Sequence, residues 1–280
     1  MSGVEQAEAR PSKRISLVVS DVDGTLVDHD KQLAPATIAA ARKLREAGIG
    51  LAAVSSRPPR GMRMIAEALE LDLFAGFNGG LIVDRSMKVV ERNLVPEAAA
   101  RIAVAELAKG GADIWVFAGE DWLLTDPAGA YVPRELHTVQ FEPKLVPSFE
   151  PYLDQVGKIV ASSRDFDLLA RLEQELTAVL GPLASARRSQ PYYLDVSHPT
   201  ADKGHAARAF ASHWGVPLDE VAVLGDMAND LPMFAVAGFV IAMGNATPEV
   251  KAKADVVTAT NDEEGWARAI EKLVLAQAKL

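Results

Sequence analysis

The sequence predicts an α/β fold in which a parallel sheet is flanked by helices and interrupted by an inserted α/β domain. Apolar runs such as residues 15–19 lack alternation with polar residues, which is typical of strands buried on both faces of a parallel sheet. These runs alternate with helical patterns in the first and last parts of the chain. In the middle, the pattern changes to hairpins and proline-rich connections, which indicates a second domain.

The composition is ordinary for a globular enzyme and excludes several kinds of site. The 280 residues are 49% hydrophobic and 24% charged, and they exceed the usual size of one domain. Without cysteine, the chain has no disulfide framework, thiol nucleophile or cysteine-ligated zinc site. Residues 1–12 are polar and lack apolar periodicity, so we expect a disordered N-terminal tail there.

Charge and hydropathy disfavour two classes of partner. The net charge is −9 and there is no basic block, so we expect no nucleic acid partner. The sequence has no apolar stretch long enough for a signal peptide or a membrane span, so we expect no membrane partner. A cytoplasmic location follows as the default expectation.

The first strand ends in two carboxylates, Asp21 and Asp23, which point the same way if the strand persists. Two neighbouring carboxylates are costly unless a cation or a proton lies between them, which suggests a divalent metal, an acid/base pair, or both. Gly24 permits a tight turn, and Thr25 offers a hydroxyl beyond it. The alternative is an ordinary Asp-Gly turn, and partners further along the chain decide between the two interpretations.

The elements of the first third follow from helix and strand signals. The patterns predict helices over residues 34–47 and 58–71, strands over 49–54 and 73–77, and a hairpin of 81–83 with 88–90. Pro35 lies in the first turn of the first helix and Gly48 stops it. The two strands end in polar residues, namely Ser55 and Asn78, which should lie at the same edge of the sheet.

The middle and last parts continue the alternation. The middle is predicted to hold a helix at 96–109, paired strands at 113–117 and 122–125, a proline-rich loop at 133–147, a strand at 156–161, a helix at 166–180 and a strand at 183–186. After a strand at 192–196, where the alternation of the parallel sheet is predicted to resume, come a helix at 203–214, strands at 221–224 and 239–243, and a helix opened by Pro248.

Lys203 and Asp226 stand where these last elements begin and end. The helix dipole disfavours a cation at a helix N-terminus, so we expect Lys203 to have an anionic partner. The alternative is a solvated lysine. Asp226 suits either a helix N-cap or a metal ligand. Beside Asp21 and Asp23, metal binding is the favoured interpretation.

Four motifs, in order, carry a resemblance to a known family. They are DVDGTL at 21–26, Ser55-Ser56-Arg57-Pro58, Lys203 in DKG, and GDMAND at 225–230. Each falls at a predicted strand end or helix start. Together they resemble the haloacid dehalogenase (HAD) superfamily of phosphohydrolases, and the C-terminal part closely resembles its Cof-type subfamily. The resemblance spans about residues 15–272.

The resemblance implies a role for each motif. Asp21 would be the nucleophile that forms an aspartyl-phosphate, and Asp23 would be the general acid and base. Ser55 and Lys203 would bind the phosphoryl oxygens. Mg²⁺ would be held by Asp21, the backbone carbonyl of Asp23, Asp226 and Asp230, although the residue at the position of Asp230 often braces the site instead. Further phosphate- or substrate-binding candidates are Thr25, Arg57, Asn78 and Asn229.

Two positions leave alternatives open. Ser56 stands where the family usually has glycine, so it could compete with Ser55 for the phosphate; the following Arg57 fixes the register in favour of Ser55. His198 could be a neutral loop histidine or a substrate contact at the mouth of the site.

The resemblance also implies an architecture and a function. A Rossmann-like HAD core would comprise residues 13–83 and 190–280, and an inserted α/β cap would comprise residues 84–189. The expected enzyme is a Mg²⁺-dependent phosphatase of small phosphorylated metabolites, with sugar phosphates favoured. Alternatives are a phosphomutase or phosphotransferase on the same fold, or a non-catalytic regulatory protein. The sequence leaves the oligomeric state open.

Overall fold

The computed structural model describes residues 11–276 and confirms the α/β class. Residues 1–10 of the predicted N-terminal tail lie outside the described residues. The described chain divides into two compact units. The first unit comprises residues 11–54, 65–74 and 203–276, and the second unit comprises residues 55–64 and 75–202. The core and cap boundaries inferred from the resemblance stay a prediction.

The strands and helices of the described residues are as follows. The strands are β1 (Leu17–Ser20), β2 (Gly50–Val54), β3 (Leu73–Gly76), β4 (Leu81–Asp84), β5 (Val89–Arg92), β6 (Asp113–Ala118), β7 (Asp121–Leu124), β8 (Lys144–Leu145), β9 (Val156–Ser162), β10 (Ser185–Gln190), β11 (Tyr193–Ser197), β12 (Val221–Gly225), β13 (Phe239–Ala242) and β14 (Val256–Val257). The α-helices are α1 (Pro35–Glu46), α2 (Arg63–Ala68), α3 (Glu97–Gly110), α4 (Val132–Val139), α5 (Phe166–Leu180), α6 (Lys203–Trp214), α7 (Leu231–Phe234), α8 (Pro248–Lys251) and α9 (Gly265–Ala269).

The first unit is built on a parallel sheet. Its strands lie in the order β14-β13-β12-β1-β2, and each neighbouring pair is parallel. All four residues of β1 and all five of β12 are buried, as the unbroken apolar runs predict. Because the carboxyl ends of parallel strands meet at one edge, the residues that follow β1 and β12 are brought side by side.

The second unit contains a mostly antiparallel sheet in the order β10-β11-β9-β6-β7-β8. One face of this sheet packs against α3 and α5 through an aliphatic cluster that includes Val116, Ile159 and Leu172. The other face carries an aromatic cluster that includes Trp115, Phe117 and Trp122. We call this second face of the sheet the aromatic face.

Two expectations for the second unit are wrong. The proline-rich segment is not all loop, because α4 forms within it. Pro133 lies in the first turn of α4, where its missing N–H costs nothing, and Val132 and Val139 are buried. The strand expected at 192–196 is β11, but it pairs antiparallel with β9 and β10 rather than joining the parallel sheet.

Length and hydropathy exclude a membrane-spanning helix from residues 11–276. The cytoplasmic location stays a prediction.

Candidate active site

Asp21 and Lys203 form a buried ion pair in the first unit. Asp21 follows β1 directly, and its N–H donates to the Leu224 carbonyl at 2.9 Å. Lys203 is the first residue of α6, is only 1% exposed, and donates to Asp21 Oδ1. Its ammonium also donates to Asp230 Oδ1 at 2.5 Å. Lys203 therefore has the anionic partners that its place at a helix start requires.

Asp23 is half-buried and contacts Lys31, which is not among the predicted site residues. Lys31 Nζ lies 2.8 Å from Asp23 Oδ1. Lys31 has a left-handed backbone conformation, with φ of 64°, which is uncommon for lysine. The Lys31 N–H donates to the Asp28 carbonyl at 3.1 Å, and this hydrogen bond holds the loop that carries Lys31. The loop thus places a cation beside the carboxylate that we expect to act as acid and base.

The turn after Asp23 approaches the third carboxylate too closely for any side chain at Gly24. A Cβ built on Gly24 would lie 2.4 Å from Asp226 Oδ2, and the glycine has φ of 82°. Only glycine satisfies both conditions without strain. Thr25 beyond the turn is buried, and its hydroxyl has no hydrogen-bond partner in the part of the chain that the structure describes. This hydroxyl is available to a bound group.

Asp226 and Asp230 are held together by the loop after β12. Asp230 Oδ2 accepts hydrogen bonds from the N–H groups of Asp226, at 2.8 Å, and Met227, at 2.9 Å. Since Asp230 Oδ1 accepts from Lys203, both oxygens of this fully buried carboxylate are occupied. These contacts support a bracing role for Asp230, and its direct contact with a metal stays a prediction.

Asn245 joins Asp226 to the turn at Gly24. Its Nδ2 donates to Asp226 Oδ2 at 3.1 Å and to the Gly24 carbonyl at 2.9 Å, while its Oδ1 accepts from the Asn261 N–H at 3.1 Å. The side chain therefore positions one carboxylate relative to the turn that follows Asp21. Asn245 is not among the predicted site residues, although it directly follows a Gly at the end of a predicted strand, which is the pattern that located Asp226.

A divalent cation fits the carboxylates of this unit. One oxygen from each of Asp21, Asp226 and Asp230 lies within 4.8 Å of the other two. Asp226 Oδ1 is buried and has no hydrogen-bond partner within residues 11–276. An orphaned, buried anionic oxygen is costly, and a hard cation that prefers oxygen ligands would satisfy it. The set of donors therefore fits Mg²⁺.

The electrostatics also call for a cation. Burial raises the pKa of Asp21 well above its ordinary value, although the Lys203 ammonium opposes the shift. Burial, and then the charge of Asp230, raise the pKa of Asp226 to about 7. Burial alone would lower the pKa of Lys203, but the charges of Asp21 and Asp230 hold it above its ordinary value. One ammonium thus faces three carboxylates, and the excess negative charge favours a bound metal.

Three other candidates lie together in the second unit. Ser55 is buried, and its Oγ accepts from the Arg57 N–H at 3.1 Å. The Asn78 N–H donates to the Ser55 carbonyl at 2.8 Å, and Asn78 has a left-handed conformation, with φ of 56°. Arg57 is also buried, and its Nη1 donates to the Gly61 carbonyl at 3.4 Å. The two strand-end segments are therefore neighbours within this unit.

The remaining candidates are more exposed. Asn229 is exposed in the loop between Asp226 and Asp230. His198 Nδ1 lies 2.9 Å from Thr200 Oγ1 and accepts from the Thr200 N–H at 3.2 Å. Both contacts are with a residue two positions along the same loop, so they place His198 within its own loop. The roles assigned to these residues, and to the others of the site, stay predictions.

Comparison with known proteins supports the resemblance. The model of a family described as haloacid dehalogenase-like hydrolase matches residues 18–270. The chain is 26% identical to the 5-amino-6-(5-phospho-D-ribitylamino)uracil phosphatase YwtE of Bacillus subtilis, across 93% of this chain and 98% of that protein. It is 29% identical to the HMP-PP phosphatase of Escherichia fergusonii, across 85% of this chain and 87% of that protein.

A solved structure is similar over nearly the whole chain. It is the crystal structure of a haloacid dehalogenase-like hydrolase from Bacteroides thetaiotaomicron, with a TM-score of 0.86 and 29% identity. The match covers 92% of this chain and 99% of that one. The resemblance inferred from the four motifs is therefore confirmed.

Proposed function

Since the chain belongs to the haloacid dehalogenase-like hydrolase family, we propose that it is a Mg²⁺-dependent phosphatase that hydrolyses small phosphomonoesters, sugar phosphates above all, through an aspartyl-phosphate. Relatives across most of its length are named as phosphatases of small phosphorylated compounds. The chain is accordingly an enzyme of the phosphoric monoester hydrolase class.

The observation that carries this proposal is the buried contact of Lys203 with Asp21. Lys203 and Asp21 are 1% and 4% exposed, and the orphaned oxygen of Asp226 belongs to the same cluster. Burial of three carboxylates together with a single ammonium costs free energy, so a functional role for the cluster is expected. Phosphoryl transfer provides such a role, because it consists mainly of positioning an anion and neutralising its charge.

The residues of the first unit divide the reaction between them. A carboxylate oxygen of Asp21 attacks phosphorus as the ester P–O bond breaks, and the leaving alkoxide takes a proton from Asp23. Water then attacks phosphorus, the bond to Asp21 breaks, and Asp23 takes the proton of the water. Lys203 holds Asp21 in place and stabilises charge on the phosphoryl oxygens.

The metal would complete this charge balance. Asp21, Asp226 and the backbone carbonyl of Asp23 would hold Mg²⁺, and Asp230 and Asn245 would orient these ligands. When bound, the ion would neutralise phosphoryl charge and orient the group for attack.

A panel of phosphorylated compounds tests this function. With Mg²⁺ present, we expect phosphate release from several hexose and pentose phosphates and none from a phosphopeptide, because relatives of the chain are named as phosphatases of small phosphorylated compounds. EDTA should reduce the release to background, and added Mg²⁺ should restore it. Preference for the phosphopeptide would contradict the proposal. Transfer of phosphate to a second sugar without release would instead identify a phosphotransferase.

Metal affinity should depend on pH because of Asp226. The metal binds the carboxylate and not the acid, and the pKa of Asp226 is raised to about 7. The Kd for Mg²⁺, measured by titration calorimetry, should therefore be lower above that pH than below it. The affinity for Mg²⁺ should fall roughly tenfold for each pH unit below about 7. Asp226→Asn should bind Mg²⁺ weakly at every pH, and a wild-type Kd that is the same at pH 6 and pH 8 would contradict the prediction.

A further inference from the structure

The loop after the first motif carries a lysine in an unfavourable backbone conformation. Lys31 has a φ of 64°, in a region that glycine and asparagine adopt readily and lysine rarely. Two hydrogen bonds close the turn around it. The Asp28 N–H donates to the Gln32 carbonyl at 3.0 Å, and the Gln32 N–H donates to Asp28 Oδ1 at 2.8 Å. The turn therefore imposes the left-handed conformation on position 31, where lysine costs stability relative to glycine or asparagine.

A second segment of the first unit holds this loop in place. The His29 N–H donates to Asp262 Oδ1 at 3.0 Å, at the tip of the loop. At its base, Asn261 Nδ2 donates to the Val27 carbonyl at 2.9 Å. Because both ends of the loop are held, the position of the Lys31 backbone is set by the fold of this unit.

Stability does not explain the choice of lysine at this position. Lys31 Nζ lies 2.8 Å from Asp23 Oδ1, and the two side chains are 22% and 26% exposed. An ion pair that water reaches contributes little to stability, so it offsets little of the backbone strain. Strained residues that persist in a fold cluster at functional sites. The strained lysine contacts the carboxyl group that would act as acid and base, two residues from the nucleophile Asp21.

We propose that Lys31 is a positioning residue, whose ammonium holds the Asp23 carboxyl group in one orientation for proton transfer to the leaving group. This inference rests on the proposed function. In the first step, the O–H bond of Asp23 breaks and its proton passes to the ester oxygen as the P–O bond to that oxygen breaks. With Oδ1 accepting from Lys31, the proton lies on the other oxygen. A charged hydrogen bond restricts rotation of this half-buried side chain and so fixes the position of the acid.

Two aryl esters of similar shape test the inference. Phenoxide is a more basic leaving group than p-nitrophenoxide, so phenyl phosphate depends more on a well-placed acid than p-nitrophenyl phosphate does. Lys31→Asn removes the ammonium with a residue that suits the left-handed conformation. We expect kcat/KM, which includes departure of the leaving group, to fall about tenfold for phenyl phosphate and less than about twofold for p-nitrophenyl phosphate. Lys31→Arg keeps the charge and should recover most of the loss.

Further variants separate positioning from a structural role and from direct contact with the substrate. The midpoint of urea unfolding of Lys31→Asn should be no lower than that of the wild type, because relief of strain offsets loss of the ion pair. In an Asp23→Ala background, Lys31→Asn should cause no further loss, because the lysine acts through Asp23. The matched control is Glu264→Gly, since Glu264 is an exposed residue of the same unit with φ of 59°. This control should leave kcat/KM unchanged for both esters.

The outcomes separate the inference from the proposed function. Equal losses for the two esters in Lys31→Asn, unchanged values, or a further loss in the Asp23→Ala background would overturn the inference alone. Failure of the wild type to hydrolyse either ester in the presence of Mg²⁺ would overturn the proposed function, and the inference with it. A loss selective for phenyl phosphate, recovered in Lys31→Arg and absent from Glu264→Gly, is the supporting result.

Discussion

Asp21→Asn should abolish phosphate release, lowering kcat by at least about 10⁴-fold, because the amide keeps the shape of the carboxylate but loses its nucleophilicity. The fold should persist. The asparagine oxygen can still accept from Lys203, and the substitution removes one negative charge from a cluster in which three carboxylates face one ammonium. Steady-state kinetics with p-nitrophenyl phosphate, together with a circular dichroism melt, measure both expectations.

Two further variants serve as controls for Asp21→Asn. Asp30→Asn changes an exposed carboxylate of the loop after the first motif and should leave kcat nearly unchanged. Asp23→Ala should retain slow turnover of p-nitrophenyl phosphate, which has a good leaving group, but lose alkyl phosphates, whose alkoxide needs a proton. If Asp21→Asn stayed within tenfold of the wild type, Asp21 would not be the nucleophile.

Lys203→Met should have the largest effect on stability. Methionine retains most of the aliphatic bulk, but the Asp21 and Asp230 carboxylates lose their buried cation. Removal of one partner from a buried ion pair costs about 3–5 kcal/mol. We expect the free energy of unfolding in urea, without Mg²⁺, to fall by about that amount. Vanadate affinity should fall roughly 10- to 100-fold, because a charged donor to the oxyanion is lost.

The pH dependence of this variant has a definite sign. In the wild type, the Lys203 charge opposes the upward shift of the Asp21 pKa. Without the ammonium, this pKa should therefore rise further above its value in the unfolded chain. A carboxyl with a raised folded-state pKa destabilises the fold when it is ionised, so lowering the pH should restore part of the lost stability. Lys43→Ala, which breaks the half-exposed pair with Glu271, should change stability little. A folded Lys203→Met with unchanged vanadate affinity would limit Lys203 to a structural role.

Local sequence patterns predicted most of the helices and strands, because helical apolar spacing and the unbroken apolar runs of strands occur in separate segments of the chain. Helix α5 begins and ends where its apolar spacing predicts, with Asp165 as its N-cap, and α6 begins at Lys203 as expected. Helix α4 was missed because Pro133 was interpreted as a loop residue. The buried Val132 and Val139 nevertheless lie on one helical face, and proline is well suited to a first turn.

Candidate site residues could be predicted where they directly follow a strand. Asp21 and Asp226 each directly follow a buried strand of the first unit, and the carboxyl ends of parallel strands share one edge. Lys31 gave no comparable signal, since its contact with Asp23 depends on a loop conformation.

The sequence by itself determined the spacing of Asp21 and Asp23, the order of the four motifs and the need of Lys203 for an anion, because these follow from residue types and short-range geometry. Only the tertiary structure decided which anions Lys203 meets, since Asp21 is 182 positions away along the chain. It also decided that Asn245 orients Asp226 and that Lys31 lies beside Asp23. Such pairings depend on strand register and loop closure, which are set by the packing of the whole chain and not by any local pattern.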